Sequence, residues 1–455
     1  MNLADMLSYA DIHQLNRIAR HYACDCNTNS KRELIQSILN TVNRSDVFER
    51  YVEQLTLEDI RFLNSLLFDQ RDAFSLEELL ARAQISRYEA AKPSGSISAL
   101  GGSANGAGSE LLTTLTVDLR GLAEQKAEKK EKKRESKKGK SAAETESKPW
   151  SPREMIVKFA HQGWLFNGYS QQTKYLYQVP ADLKRRFGDS LTRAFQRRLS
   201  YIDEPHAYRD EQRLLAEDVR KFLAYLRFND VELTAEGTMY KRSQLAILDS
   251  LHVKEEPVGK GGWRFGYGRK IKDYPNRFSL IYDYCYYEGL IQEGPGALTL
   301  TEKGEAYAAE GRLADPGAIY RFWLKLYKNP IHNLQSLTHW IDRLAGRWVT
   351  LESLSEVLTP LIKPFYYDAP ASILSNRIVM MMMHQGLLRI GEHPESGTVV
   401  EMTKLGSSIV RGVYVPEEDK IALPDDMGPA FAKGETGLAY PGGHAYIPDP
   451  GGRSN

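Results

Sequence analysis

Residues 284–304 decide the fold: YCYYEGLI (284–291) is followed, after a short gap, by LTEKG (300–304). The same arrangement recurs as MMHQGLLR (382–389) with MTKLG (402–406), and more loosely as LRFNDVELTAEG (226–237). A glycine just past a helix adopts the left-handed conformation that other residues avoid. Each copy therefore predicts a helix that ends at its glycine, a short two-stranded hairpin, and a Thr-x-x-Gly turn that closes the hairpin.

A helix followed by a small hairpin is the layout of the winged helix. The repeated pattern predicts a mainly α, multidomain chain of tandem winged-helix units with short two-stranded wings. Winged helices most often bind nucleic acid or other proteins, so the pattern favours a binding protein over an enzyme.

Length and composition limit the class of protein. A chain of 455 residues with 42% hydrophobic residues buries several ordinary cores, which predicts two to four domains. Three cysteines are too few for a disulfide framework in a chain this long. No stretch approaches the roughly 20 apolar residues of a membrane span, and the start lacks a signal peptide. We therefore expect a cytoplasmic protein without a membrane partner.

Composition also divides the chain. Residues 91–149 are rich in Gly and Ser and then carry the basic run KAEKKEKKRESKKGK (126–140), which is too polar to fold alone. The predicted regions are a helical module at 1–90, a flexible basic linker at 91–149, a winged-helix-containing domain at 150–312, a C-terminal winged-helix domain at 313–415 and a disordered tail at 416–455. The two sides of the linker are expected to move independently.

Three segments carry a family resemblance: GWLF (163–166) with YQVPADL (177–183), LTAEGTMYKR (233–242), and the closing Thr-x-x-Gly turns. In this order they resemble the helicase-associated region at the N-terminus of bacterial XPB-type DNA helicases, over about residues 55–405. The motifs are degenerate. The resemblance implies a helical accessory region with small wings, here without its motor.

The N-terminus has a second resemblance. LNRIAR (15–20) and SKRELI (30–35) are similar to the small SAP and Rho-type N-terminal modules that bind nucleic acid. Arg17, Arg20, Lys31 and Arg32 would then share a phosphate-facing surface. The alternative is an ordinary capped helical hairpin.

No catalytic or cofactor motif is present. The chain lacks a Gly-x4-Gly-Lys-Ser/Thr phosphate loop, a nucleophile elbow and a zincin motif. His13, His21, Cys24 and Cys26 do not have the spacing of a structural zinc site. We predict neither an enzyme, nor a cofactor, nor a bound metal.

GKGGWRFGYGRK (259–270) interleaves aromatic residues with cations. Such a segment suits unpaired nucleic acid, since rings stack on bases and cations neutralise phosphates. Under the alternative interpretation it is a loop whose Trp263 and Phe265 pack into the neighbouring core.

The helix from Pro370 to Gln385 is the predicted recognition helix of the last unit, with Asn376, Arg377 and His384 as its polar positions. Its four consecutive methionines, at 380–383, favour a core or a protein contact instead.

Together these patterns predict a non-catalytic protein that binds duplex or single-stranded DNA, as an accessory to a helicase or to transcription. The alternative is a protein-interaction scaffold that never contacts nucleic acid. The predicted nucleic-acid-binding residues are Arg17, Arg20, Lys31, Arg32, Lys241, Arg242, Trp263, Arg264, Phe265, Tyr267, Arg269, Lys270 and Arg377.

Overall fold

The computed structural model describes residues 1–88, 151–259, 267–416, 418–419 and 421, and helices dominate this part of the chain. The sheets are small and antiparallel. The prediction of a mainly α fold is confirmed. Among the described helices, none combines the length and the apolar composition needed to cross a bilayer.

Four helices form the N-terminal module. They are α1 (Leu3–Tyr9), α2 (Ile12–His21), α3 (Lys31–Asn43) and α4 (Ser45–Glu53). Each of the first three begins at a polar residue whose side chain accepts a backbone hydrogen bond, namely Asn2, Asp11 and Ser30. The buried faces follow the helical period, for example Leu34, Ile38 and Val42 on α3.

A first repeat follows, and its parts come from both sides of residues 89–150. It comprises α5 (Leu57–Leu67), β1 (Ala73–Phe74), α6 (Leu76–Ser86), α7 (Pro152–His161), β2 (Phe166–Asn167) and β3 (Tyr177–Gln178). The connecting elements are α8 (Ala181–Gln196) and β4 (Ala207–Arg209).

A second repeat has the same order of elements. It comprises α9 (Leu214–Phe228), β5 (Val231–Glu232), α10 (Lys241–Ser250), α11 (Asn276–Tyr287), β6 (Ile291–Gly294) and β7 (Ala297–Leu300). After it come α12 (Glu302–Ala309) and α13 (Pro316–Tyr327).

The third repeat ends the described fold. It comprises α14 (Leu334–Leu344), β8 (Val349–Thr350), α15 (Leu351–Leu358) with a 3-10 turn (Thr359–Leu361), helix α16, β9 (Leu388–His393) and β10 (Gly397–Met402), and α17 (Lys404–Gly412) follows. Helix α16 has three segments, an α turn at Pro370–Ser372, a π segment at Ile373–Val379 and an α segment at Met380–His384.

The three repeats share one topology: helix, strand, two helices and a hairpin. In each sheet the first strand pairs with the last, giving the orders β1-β3-β2, β5-β7-β6 and β8-β10-β9, and β4 extends the third sheet by pairing with β9. The helix before each hairpin ends at a left-handed glycine, Gly163, Gly289 or Gly386, with φ of 68°, 65° and 70°.

Two sequence-based predictions are wrong. The loose copy at 226–237 is not the closing hairpin of a repeat: Val231–Glu232 is the first strand of the second sheet, and a bridge between Leu233 and Met239 closes the turn after it. The boundary between 1–90 and 150–312 is also wrong, because Ala73 pairs with Gln178 in one sheet. The chain on the two sides of residues 89–150 packs as one compact unit, so these sides do not move independently.

The Thr-x-x-Gly turn has a physical explanation. Thr301 Oγ1 donates to the carbonyl of Gly289 at 2.6 Å, the Thr301 amide donates to Leu290 O at 3.1 Å, and the Gly304 amide donates to Thr301 Oγ1 at 3.0 Å. A Cβ atom at Gly304 would lie 1.8 Å from Leu290 O. The threonine therefore ties the end of the hairpin to its start, and only glycine fits beside it.

The same contacts close the third repeat. Thr403 Oγ1 donates to Gly386 O at 2.9 Å, and a Cβ atom at Gly406 would lie 1.9 Å from Leu387 O. We call this arrangement of threonine and glycine the threonine clasp.

A buried charge network joins the second and third repeats. Arg277, on α11, is fully buried and lies 3.1 Å from Glu211 and 2.7 Å from Asp218. The other oxygen of Glu211 is 3.0 Å from Nδ1 of His384, on α16.

We expect Gly304→Ala and Gly406→Ala each to lower the free energy of unfolding by about 1–3 kcal/mol, since the added methyl group overlaps a backbone carbonyl that cannot withdraw without opening the hairpin. Urea denaturation followed by circular dichroism measures the change. Gly346→Ala is the matched control, because no atom lies within 4 Å of its Cβ position, and it should change stability by no more than about 0.5 kcal/mol. Equal effects at all three positions would contradict the clasp.

Candidate nucleic-acid interface

Helix α2 packs against the end of α7 and the start of the first hairpin. Methyl groups of Ile18 lie about 3.1–3.2 Å from the Cβ position of Gly163, so a side chain there would displace α2. Trp164 Nε1 donates to the hydroxyl of Tyr22 at 2.7 Å, and that hydroxyl donates to Gln162 O at 3.0 Å. Burial raises the pKa of Tyr22, which keeps the hydroxyl protonated as a donor. The module is therefore fixed on the third helix of the first repeat.

This packing brings cations of two helices together. His13, Arg17 and Arg20 lie at i, i+4 and i+7 on the exposed face of α2. Arg17 Nη1 is 3.4 Å from Nε2 of His161, at the end of α7. Because a guanidinium only donates, this contact requires the histidine nitrogen to accept. We call the surface formed by the cations Arg17, Arg20 and Lys158 and by the imidazoles of His13 and His161 the N-terminal cation surface.

The electrostatics near this surface are positive. Burial lowers the pKa of His21, and the nearby Lys158 and His161 lower it further. One carboxylate, Asp59, pairs with Lys158 at 2.5 Å, but it is almost fully buried behind the lysine. Glu154 is the exposed carboxylate of α7 and lies two turns before His161.

Lys31 and Arg32 begin α3 and are exposed. They border a shallow depression with Ile35, Gln36, Leu39 and Asn40 on the outer face of the helix. No carboxylate in the described part of the chain pairs with Arg20, Lys31 or Arg32. The structure shows no direct contact between this pair and Arg17 or Arg20, although Asn16 Nδ2 bonds to Thr28 O between the two helices.

Lys241 and Arg242 are the first residues of α10 and are also exposed. They belong to the second repeat, and the structure does not bring them together with the N-terminal cation surface. Trp263, Arg264 and Phe265 lie outside the described residues.

Tyr267 is not a stacking residue. It is 2% exposed, and its ring centroid lies 5.4 Å from that of Tyr327 and 5.8 Å from that of Phe365. The guanidinium carbon of Arg377 lies 4.4 Å from the same centroid. The prediction that Tyr267 stacks on a base is therefore wrong, since its faces are covered by its own chain.

Arg269 and Lys270 also pair with an acid of their own chain. Arg269 forms a two-point ion pair with Glu293, with N–O distances of 2.5 and 2.6 Å, and Lys270 is 3.4 Å from the same carboxylate. Burial alone would raise the pKa of Glu293, but the hydrogen bonds and charge of Arg269 hold it below its usual value. Lys270 is 5% exposed and donates to Gly237 O. These two residues anchor the second repeat and do not face a phosphate chain.

The predicted recognition helix is mostly buried, and its polar positions Asn376 and Arg377 are half-buried. Arg377 pairs with Asp368 at 3.2 Å, and His384 is 6% exposed against Glu211. On α11, the equivalent helix of the second repeat, every residue from Arg277 to Tyr286 is buried. Only α7 among these three equivalent helices keeps an exposed polar side, with Arg153, Glu154 and His161 exposed. The prediction that Arg377 and His384 reach base edges is therefore wrong.

Sequence reasoning missed His161 and Lys158. Their spacing of three residues on a helix with a clear Ser-Pro start was a usable signal. The proximity of His161 to Arg17, 144 residues away, could not be inferred from local patterns.

Other candidate chemistry is absent from the described residues. No three His, Cys, Asp or Glu side chains are grouped there so as to hold a metal ion. A cleft of about 220 Å³ lies between α5, α6 and α14, but its acids are already paired. Asp69, for instance, bonds to both Arg71 and Arg82.

Asp283 fixes the chain just before Arg269. Its Oδ2 accepts the Arg269 amide at 2.9 Å, and a Cβ atom at Gly268, whose φ is 141°, would lie 2.6 Å from this oxygen. Burial raises the pKa of Asp283 to about 7, although the hydrogen bond from the Arg269 amide and the charge of Arg269 both lower it. The folded state therefore binds a proton more tightly than the unfolded state does.

We expect the contribution of Asp283 to the free energy of unfolding to fall as the pH rises toward about 7, because the stability that a raised pKa contributes is complete at low pH and is lost above the folded-state value. Asp283→Asn should remove this part of the pH dependence. Urea denaturation at pH 5.5, 7 and 8.5 measures it, and the exposed Asp230→Asn is the control. An unchanged pH profile in Asp283→Asn would contradict the assignment.

Comparison of the chain with models of known protein families, with curated proteins and with solved structures finds no match.

Proposed function

We propose that the three repeats are winged-helix units and that the chain is a non-catalytic, cytoplasmic protein that binds DNA through the N-terminal cation surface. The strand order in each repeat supports the winged-helix assignment, since the first strand pairs with the last strand of the hairpin in all three. The helicase or transcription accessory role rests on the family resemblance.

The contact between Arg17 and His161 carries the proposal. It places the cationic face of α2 beside the one third helix whose polar side is exposed. A row of cations at helical spacing suits a phosphate backbone, because each phosphate neutralises a cation and releases condensed counterions. Arg17 and Arg20 are exposed and are not paired with a carboxylate within the described chain, so binding a phosphate does not require an ion pair to break.

The buried helices of the second and third repeats limit how the chain can bind DNA. The third helices of the second and third repeats face their own chain, so they do not insert into a groove. The surface on α2 and α7 offers phosphate contacts and few base-reading side chains. We therefore infer binding without strong sequence preference.

A second function is a protein-interaction scaffold, and a specific observation favours it. Arg269, Lys270 and Arg377, all predicted to contact DNA, are instead paired with acids of the chain. A stoichiometric partner that stays bound after nuclease treatment, with no DNA binding by the purified protein, would support the scaffold.

We expect the double variant Arg17→Ala/Arg20→Ala to lower affinity for a 20-base-pair duplex about tenfold and to reduce the slope of log affinity against log salt by about 2, since two phosphate contacts are lost. Fluorescence anisotropy of a labelled duplex at 50 and 200 mM salt measures both quantities.

The control is Lys303→Ala/Arg312→Ala, which removes two cations with side chains 62% and 64% exposed, one on α12 and one just after it. It should leave affinity nearly unchanged. Equal losses in both double variants would show that only net charge matters, and negligible binding by the unmodified chain would refute the proposed function.

A further inference from the structure

Two tyrosines form an exposed stack beside the N-terminal cation surface. Tyr9 ends α1, and its ring centroid lies 4.4 Å from that of Tyr169, with 14° between the ring planes. The two residues are 61% and 52% exposed. Since each ring covers only one face of the other, exposure this large leaves an outer face open to solvent. We call Tyr9 and Tyr169 the tyrosine stack.

The loop that carries Tyr169 does not need the stack for its shape. This wing loop, residues 168–176, is closed by the Gly168 amide bonding to Leu176 O at 2.8 Å. Ser170 and Thr173 exchange bonds, with each amide donating to the other hydroxyl at 3.2 and 3.1 Å. A structural role for two rings left more than half exposed is therefore weak.

The wing loop carries further groups of the same kind. Tyr175 is 79% exposed, and Nζ of Lys174 lies 4.8 Å from its ring centroid. A single exposed tyrosine is ordinary on a protein surface. Three of them on the wing loop and the neighbouring helix end, with a cation among them, form a combination that suits bases and phosphates.

The stack and the cations lie along one line of contact. Residues 9–22 and residues 162–169 lie side by side and run in opposite directions. Tyr22 bonds to Gln162, Ile18 packs on Gly163, and Tyr9 stacks on Tyr169. Arg17 and His161 lie at the first end of this line, and the tyrosine stack lies at the other. The nearby acids Asp5 and Asp11 are engaged as helix caps, with bonds of 2.7–3.2 Å.

We propose that the tyrosine stack binds an unpaired base, so that the preferred ligand of the N-terminal cation surface is single-stranded DNA. This inference rests on the proposed function. The base adds to the open face of a stack that is already formed, so little side-chain entropy is lost on binding. The adjoining phosphates then reach the cations of α2. Duplex DNA keeps its bases paired and gains only the phosphate contacts.

The test compares a labelled dT20 strand with a blunt 20-base-pair duplex, by anisotropy at 50 mM salt, using the full chain. Tyr9→Leu/Tyr169→Leu should weaken binding of dT20 about tenfold and leave duplex binding nearly unchanged, because a base–aromatic contact is lost without loss of charge. Tyr9→Phe/Tyr169→Phe keeps both rings and should retain the affinity of the unmodified chain.

Tyr240→Leu is the control, since this tyrosine is 50% exposed in the second repeat. Thermal melting of each variant confirms that it folds. If the unmodified chain binds duplex DNA but the leucine variant loses no affinity for dT20, the base-stacking inference fails alone. Equal losses for both DNAs would also overturn it. If neither DNA binds the unmodified chain, the proposed function itself fails.

Discussion

The buried pairing of Arg277 with Glu211 and Asp218 is the constraint on which the arrangement of the second and third repeats depends. Burial alone would raise the pKa of Glu211, but its hydrogen bond to His384 and the charges of His384, Arg277 and Arg209 lower it to about 2. All three charges of the central pairing are buried, so removing one partner would leave an uncompensated charge, at a cost of about 3–5 kcal/mol. The network thus fixes α11 against α16 at a defined position.

This constraint has a consequence for function. With Arg277 and His384 both directed at Glu211, the third helices of the second and third repeats present their polar side chains to the protein interior. Strand β4 lies just before Glu211 in the chain and pairs with β9 of the third repeat. This pairing also holds the second repeat against the third. A helix held in this way cannot enter a DNA groove without breaking buried ion pairs. On α7 the ion pair of Lys158 with the buried Asp59 leaves Arg153, Glu154 and His161 exposed, and that difference directs the proposed interface to the N-terminal end.

Local features could be predicted from the sequence, and long-range pairings could not. The glycines at 289 and 386 and the hairpins after them were predictable, because the left-handed turn and the threonine clasp involve residues within about twenty positions. The pairing of Ala73 with Gln178 rests on a two-residue strand without a periodic signal. The ion pair of Arg269 with Glu293 could not be predicted either. The sequence shows the basic cluster, but it does not show which acid the fold brings next to it.

The net charge of +1 is compatible with a local polyanion-binding surface. Cations such as Arg269, Arg277 and Arg377 are neutralised by acids within the fold, so they contribute little field outside it. The exposed cations of α2 and α3 have no such acids in the described chain, and Asp59, which balances Lys158, is buried. A near-neutral protein therefore presents cations without acidic partners on one local surface, and screening over about 8–10 Å limits the effect of acids that lie farther away. The position of the cations, and not their number, decides which part of this chain attracts a phosphate backbone.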